Sequence, residues 1–571
     1  MANSKSFTQT TYQGNPVADH RSMAVFYSMM EEGLAIAKSR ILEGSYVPDF
    51  NIPPQNMNHI QERNQGFIDI TNPHPFGVHD MYNAYFDMDI SVDVTIQNAA
   101  GQANQIPANT MYFVGFKNAF DLVDRFIWKV SGTDVQTEIN CHKFGTLHNL
   151  AISQQVREKN PYTYTSSKVL TKTYNGGKCG VIISNVQAIA VGAQRKRAVQ
   201  FKLMIPMIMF DIFATIRYLP RAFGEWLFNF IPTSANMVWG IVDDGNVFNT
   251  KDFFGNGASN YGVFAAPNSF PKGNISLTMD NLKVLNWTFR AESFILLESE
   301  YNSLVQAFPR DNPLRVGVTN TLLTNISPAT NRGEAVEAPQ GSTIHHTINV
   351  VGGMNDALYI TFHRDTRHNT ICMQPFIHTL TVTTGQKQFP HASNIRTWNH
   401  TVVMRFLRDA IGKNADINIP ENDDLYNSYF PMMEFVKDMS VDDNDPRDKR
   451  KSGTAKFTDS TNFVLAFPFQ PDGEFMSGLR GPTSGIVSWV IRGTLAALGY
   501  STGNDAEAIN IPIAAEVGDG TAANTASLRL DPVSSINFIT VSDVVLSLWS
   551  PLGQGTGGAL MDVQPLKITI T

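Results

Sequence analysis

The chain has 571 residues, 43% of them hydrophobic, so each half has enough apolar content for its own core, and disorder and collagen-like structure are excluded. Lys and Arg number 44 against 51 Asp and Glu, a formal charge of −7, which excludes a protein that coats nucleic acid by bulk positive charge. Charged residues are 17% of the chain, so much of the polar surface comes from Asn, Gln, Ser and Thr, a surface easily desolvated in large interfaces.

From Asp19 to Leu42 the apolar residues Met23, Phe26, Met30, Leu34, Ala37 and Ile41 recur at three- and four-residue steps. This predicts an amphipathic helix, capped by Asp19 or Ser22 and stopped by Gly44. An extended run from Pro48 to Asn58 follows, broken by Pro53 and Pro54. A lone helix and a proline-rich strap have no core of their own, so they lie on their own chain or on a neighbour.

From Phe86 to Ile96 the period changes to two, a half-buried strand. Strand-like runs follow at 111–116 and 120–130, then at 178–191, 198–209, 225–231 and 237–242, and at 274–279 and 284–290, with a helix expected over 142–156. A short helix over Glu298–Phe308, stopped by Pro309, marks a seam near residue 300. Strands restart at 314–318, 345–351, 357–362 and 375–383. A helix is expected over Thr401–Ile411, and further strands over 461–469, 485–495, 508–514, 534–548 and 563–570. Many strands with few helices between them argue for antiparallel sandwiches, not βαβ units. The halves echo one another weakly, as two copies of one sandwich in tandem would, and as coincidence in a β-rich chain would too. Val130-Ser131-Gly132-Thr133 corresponds to the strand ending in Gly385-Gln386-Lys387. The Phe210-Asp211-Ile212-Phe213 crossing into Trp226, Phe228 and Phe230 corresponds to Phe467-Pro468-Phe469 leading into Val487, Trp489 and Ile491.

Four segments together resemble the double jelly-roll major capsid proteins of eukaryotic double-stranded DNA viruses, in particular the polinton-like, adintovirus and virophage group. They are the strand Tyr85–Asn98 with NTMYFVGFKNAFDLVDRFIWKVSGTDVQ; IPMIMFDIFATIRYLPRAFGEWLFNFIP; DALYITFHRD with MQPFIHTLTVTTGQKQFP; and NSYFPMMEF with LAFPFQPDGEF. Met373-Gln374-Pro375-Phe376 stands where the family has Asn-Pro-Phe, and Ala466-Phe467-Pro468 where it has Phe-Asp-Leu. The resemblance implies an all-β chain of two tandem eight-stranded antiparallel jelly-roll sandwiches with short inserted helices and an N-terminal helical arm. The expected division is an arm over 1–60, a first roll over 61–299 and a second roll with a C-terminal tail over 300–571. It further implies a homotrimer of pseudo-hexameric outline and an icosahedral shell built from neighbouring capsomers, with the N-terminal segment expected at the barrel base, facing the shell interior and helping to link neighbours. A single jelly-roll penton protein and other minor capsid proteins are the implied partners, with encapsidated DNA bound at most weakly. The chain is then a virion protein made in the host cell interior.

No catalytic, cofactor-binding or metal-ligating residue is nominated, no cofactor is expected, and the chain is read as a non-enzyme. Gly553-Gln554-Gly555-Thr556-Gly557-Gly558 has no Lys and no helix signal after it and reads as a loop. His345, His346, His363, His368, His378, His391 and His400 form no HExxH or Cys/His pattern. The run Asp442-Asp443-Asn444-Asp445 with Asp448 lacks the Gly and bidentate Glu of an EF-hand, and leads into Arg447, Lys449, Arg450 and Lys451. Arg195, Lys196 and Arg197 with Lys202 are the best candidates for a nucleic-acid contact, against the alternative of a solvated strand end. The sequons at Asn274, Asn286, Asn325 and Asn399 need a secretory route. Three cysteines, Cys141, Cys179 and Cys372, without CxxC spacing fit a reducing compartment. The polar N-terminus has no signal core, and the run Leu203–Phe210 falls far short of the ~20 residues of a membrane span. Two other readings stand beside the double jelly roll: a parvovirus-like single jelly roll with long loops, and a β-sandwich carbohydrate-binding or carbohydrate-active protein.

Overall fold

A computed structural model describes residues 20–39, 45–54, 59–98, 105–106, 108–116, 119–139, 141, 180–242, 275–326, 343–351, 354–363, 377–384, 387–389, 400–411, 464–469, 479–480, 486–495, 535–550 and 558–562. In chain order the first half holds α1 (His20–Ser39), β1 (Tyr46–Ile52), β2 (His59–Gln61), β3 (Gly66–Asp69), β4 (Gly77–Asn98), β5 (Met111–Phe116), β6 (Val123–Val130), β7 (Thr133–Ile139), β8 (Gly180–Ser184) and β9 (Gln194–Pro206), then α2 (Asp211–Thr215), β10 (Tyr218–Pro220), β11 (Trp226–Pro232), β12 (Met237–Val242) and β13 (Ile275–Ile295). After α3 (Glu298–Ala307) come β14 (Leu314–Ile326), β15 (Thr343–Val351), β16 (Met354–His363), β17 (Ile377–Thr384) and β18 (Lys387–Phe389). These are followed by α4 (His400–Ile411), β19 (Leu465–Pro468), β20 (Leu479–Arg480), β21 (Ile486–Leu495), β22 (Ser535–Trp549) and β23 (Gly558–Asp562).

The first half has a sheet of order β1-β13-β4-β10 and another of order β3-β11-β6-β7. Numbering these eight strands along the chain, the orders are first-eighth-third-sixth and second-seventh-fourth-fifth. The second half repeats both orders, as β14-β22-β16-β19 and β15-β21-β17-β18. That is the strand order of a jelly roll, found twice in tandem. The sixth strand of the first roll is in two pieces. β9 pairs with residues 85–97 of β4 and β10 with residues 78–80. Between them the chain leaves the sheet and drives Phe210 into the core, with its ring centroid 4.9 Å from Phe126, 5.4 Å from Trp128 and 5.3 Å from Phe228.

Of the two echoes seen in the sequence, the hairpin is an equivalent connection, whereas Phe210 lies between the two pieces of the sixth strand and Phe467-Pro468 within that strand in the second roll. Ser131 and Gly132, both at positive φ, close the two-residue hairpin between the fourth and fifth strands, where Val130 pairs with Thr133. This is the primed-turn geometry that tolerates Gly and matches strand twist. In the second roll Thr384 pairs with Lys387 at the same connection. Trp226 and Trp489 both lie on the seventh strand. Residues 274–290 depart from the sequence reading. Residues 275–290 form part of one strand, β13, whose register slips between Asp280 and Lys283 and between Leu285 and Thr288. Asn281 and Asn286 take positive φ at these bulges, which is why the period-two pattern breaks there.

The N-terminal segment also differs. Residues 46–52, read as part of an arm and strap, are the first strand of the first roll, paired with β13 from Tyr46↔Phe294 to Ile52↔Phe289. Asp49 and Asn51 hide the strand signal because this edge strand faces solvent on one side. The expected helix over 142–156 and the strands over 508–514 and 563–570 lie outside the described residues.

Strands alternate in direction, so the connections 1–2, 3–4, 5–6 and 7–8 leave one end of a roll and 2–3, 4–5 and 6–7 leave the other. In the first roll the latter are short: 70–76, 131–132 and 221–225. The long connections of the other end carry β5, β8 and β12, which form a small sheet of order β12-β5-β8 over that end. Strand one begins and strand eight ends at the tight end.

The tight ends of both rolls meet. α1 buries Phe26, Met30, Leu34 and Ala37, and it packs on α3, β13 and β14. The Phe26 ring centroid lies 5.6 Å from Phe223 and 6.0 Å from Phe308. Ser550, just after β22, donates its N–H to the Phe308 carbonyl at 2.8 Å and its hydroxyl to the Val305 carbonyl at 2.6 Å. Leu314, Val316 and Val318 pair directly with Leu548, Leu546 and Val544. All six are buried in one apolar cluster with the core of the first roll. Burying six such side chains at ~1.5–3 kcal/mol each contributes on the order of 10 kcal/mol before entropy.

Candidate functional site

The nominated basic cluster is divided by the strand itself. Arg195, Lys196 and Arg197 are successive residues of β9, so their side chains alternate between faces. Arg195 donates to the Gln187 side-chain oxygen and Arg197 to the Ser184 carbonyl, both at 2.8 Å, toward the small sheet. Lys196 reaches Asp93 at 3.3 Å, and Lys202 stands 3.9 Å from both Asp87 and Asp89. Four cations in one run of sequence therefore make no single phosphate-binding patch.

Asp87, Asp89 and Asp93 form a row on the outward face of β4, answered from both flanks. Lysines come from β9, and from β13 come Asn281, 2.9 Å from Asp93, and Asn286, 3.4 Å from Asp89. Arg290 of β13 holds Asp49 of β1 at 2.8 Å and Asp87 at 3.3 Å. The hydrogen bond from Asn281, with Lys196 beside it, holds the Asp93 carboxyl below its ordinary value. This face is charged yet internally compensated.

At the tight end of the first roll lies a denser group. Asp80, 3% exposed, accepts a two-pronged bond from Arg217, at 3.2 and 3.3 Å from Nε and 2.9 Å from Nη2. The guanidinium lies over the rings of Tyr218 and Tyr82. Tyr27 of α1 donates to the Thr215 carbonyl at 2.8 Å, tying the helix to the same corner. Burial raises the Tyr27 and Tyr218 hydroxyls above their ordinary value. Glu292 pairs with Asp80 across β13 and β4. Burial first, then the Asp80 charge, raises its carboxyl. One residue along, His79 and Ser293 face each other, the ring Nδ1 2.5 Å from the hydroxyl. Burial pushes the His79 ring down to about 3, so it is neutral at physiological pH.

Sequence reasoning missed Asp80, Arg217, His79 and Glu292. They lie in runs whose period-two signal is broken, and Asp80 and Arg217 are 137 residues apart. The one available signal was His79-Asp80 inside an apolar stretch, where buried charge demands a partner.

The nominated histidines do not converge among the described residues. His345 and His346 occupy successive β15 positions opposite Arg492 and Ile491; His363 ends β16, opposite Ser535; His378 lies in β17, and His400 opens α4. His368, His391, the run 442–451 and residues 553–557 of the glycine-rich stretch lie outside the described residues, as do Cys179 and Cys372. Cys141 is buried, and burial raises its thiol well above the ordinary value, which suppresses nucleophilicity. Among the described residues no three His, Cys, Asp or Glu side chains group to hold a metal, and no helix is long and apolar enough to cross a membrane.

No family model matches the chain, and no curated protein matches it. Among solved structures it is similar to a chain of the Sputnik virophage particle, with 10% identity, a TM-score of 0.46 and coverage of 92% of this chain and 90% of that one. It is similar to the mavirus major capsid protein at 10% identity and a TM-score of 0.45, covering 91% and 93%. The Faustovirus major capsid protein gives 9% identity and a TM-score of 0.38, with 89% and 90% covered.

Proposed function

We propose that this chain is the major capsid protein of an icosahedral DNA virus, a structural protein and not an enzyme. The observation that carries the reading is the repeated strand order, two complete jelly rolls joined at their tight ends by α1, α3 and the β14–β22 face. A jelly roll alone serves lectins and cupins as well as capsids. Two side by side, fused by an apolar joint, supply a rigid double block. The sequence resemblance to virophage-type capsid proteins points to the same use, and the capsid proteins named above match the chain over both rolls.

In this reading three copies associate, placing six similar barrels around one axis as a pseudo-hexameric capsomer. The low charge content suits interfaces of the obligate class, typically ~2,000 Å² or more. Capsomers pack against one another in the virion. A single jelly-roll penton protein and minor capsid proteins complete the shell. The genome is contacted weakly, because the basic residues of β9 are spent on Asp87, Asp89, Asp93 and neighbouring oxygens. Synthesis takes place inside the host cell. The two domains are the strand sets β1–β13 and β14–β23, with α3 at the seam. The test is electron microscopy of the purified protein under assembly conditions. Closed shells with pseudo-hexagonal capsomers are expected, and a protein that stays dispersed while binding glycans on an array would favour the lectin-like alternative.

A further inference from the structure

The two rolls treat the same strand differently. In the second roll the first strand is buried at the tight end: Leu314, Val316 and Val318 are 0%, 0% and 5% exposed and belong to one apolar cluster with the core of the first roll. Their cover comes from that neighbouring roll. α2, which interrupts its sixth strand, and β7, its fifth strand, pack on β14, and β7 also lies against β23. In the first roll no residue of the equivalent strand, β1, is fully buried. Yet four of its seven residues are large and apolar: Tyr46, Val47, Phe50 and Ile52. Tyr46 stacks on Phe294 with ring centroids 5.1 Å apart, and β1 stands at the edge of its sheet among the described residues. Half-exposed apolar side chains on an edge strand leave burial energy unused and invite a partner.

The chain thus contains one complete contact, from the strand-five side of a first roll to the strand-one side of a second. Both halves of a like contact are left over: β1 on the first roll, and β18, the fifth strand of the second roll, at the edge of its own sheet among the described residues. Unlike surfaces that meet head to tail close into a ring when the rotation allows. We propose that the strand-one side of the first roll, β1 with the adjoining end of β13, is the docking surface for the second roll of another copy of this chain. That copy seats its β18 side on β1 as β7 and α2 seat on β14 within the chain. The inference rests on the capsomer reading and names the surfaces through which three chains close. Charge agrees in sign. Asp49 of β1, though held by Arg290, keeps 61% of its side chain exposed, and β18 opens with Lys387.

The experiment is cross-linking of the full-length protein with a short bismaleimide. Asp49→Cys is combined with Lys387→Cys or with Gln388→Cys, and the single variants give the background from the natural cysteines. Both double variants should yield covalent species of two and three chains, and the single variants should not. Val47→Glu supplies an independent measurement. Val47 is only half-buried within the chain, so subunit unfolding should change little. The concentration at which trimers half-dissociate should rise by about tenfold or more. A trimer whose double variants link no chains, or link only within one chain, would overturn the proposal and leave the capsomer reading standing. So would a Val47→Glu trimer as stable as the natural one. Chains that remain single in light scattering would overturn the capsomer reading, and this proposal with it.

Discussion

Phe26 of the N-terminal helix and Phe308, just before the second roll, lie edge to face with ring centroids 6.0 Å apart, and Phe223 of the first roll touches both. Three rings thus join the N-terminal segment, the first roll and the approach to the second at one point. The helix is part of the subunit's own joint, not a free arm. Of the two surfaces expected to bury its apolar stripe, its own barrels or a neighbouring capsomer, the chain itself supplies the burial of Phe26, Met30, Leu34 and Ala37.

Phe26→Ala should cost about 3–5 kcal/mol, the range for a fully buried aromatic that leaves a cavity. Denaturant unfolding at fixed protein concentration measures it. A cost under about 1 kcal/mol would place the ring outside the joint.

His79 predicts an acid limb in the stability curve. Its ring is lowered to about 3 from 6.5 by burial. A depressed base contributes stability that is complete above its ordinary value and is lost as pH falls from there toward the folded value. The full effect is on the order of a few kcal/mol. Stability should therefore decline below about pH 6.5, and His79→Leu should flatten that decline at some cost at neutral pH from the stranded Ser293 hydroxyl. An unchanged slope in the variant would show that His79 does not drive it.

Arg217→Met should be strongly destabilising, by about 3 kcal/mol, because it leaves the Asp80 carboxylate buried and unpaired. Adding Asp80→Asn should recover a large part of the loss. A double variant no more stable than the single one would mean that the arginine acts through packing on Tyr218 and Tyr82 instead.

Gly77 begins β4, where a Cβ would fall 2.1 Å from the Asn72 side-chain Cγ and Oδ1. Asn72 cannot yield freely, since its side chain accepts from the His74 N–H and its carbonyl from Arg221. Gly77→Ala should cost about 1–3 kcal/mol. Thermal unfolding gives the value, and a neutral result would show that the 70–76 connection can shift.

Much of this fold was legible where one physical signal dominates. Phe86 to Ile96 alternates cleanly because one face is core and the other solvent. Leu304 and Tyr301 mark α3 by helical spacing, and the Ser131-Gly132 turn is written in its residue types. β1 was not legible, because an edge strand with Asp49 and Asn51 carries little alternation. β13 was split in reading because bulges at Asn281 and Asn286 reset its phase. The second roll was only faintly legible as a repeat: the same hairpin and the same Trp-bearing seventh strand recur, but a β-rich chain produces such an echo by coincidence as well. The Asp80–Arg217–Glu292 group was illegible because its members meet only after the first roll closes, and pairing across such distances leaves no local pattern.

The central claim is that each chain is a double block, three of which make a capsomer. Light scattering of the purified protein at micromolar concentration tests it most directly. The account predicts the mass of three chains, stable to dilution, as large apolar interfaces require. A stable particle with the mass of one chain would contradict it.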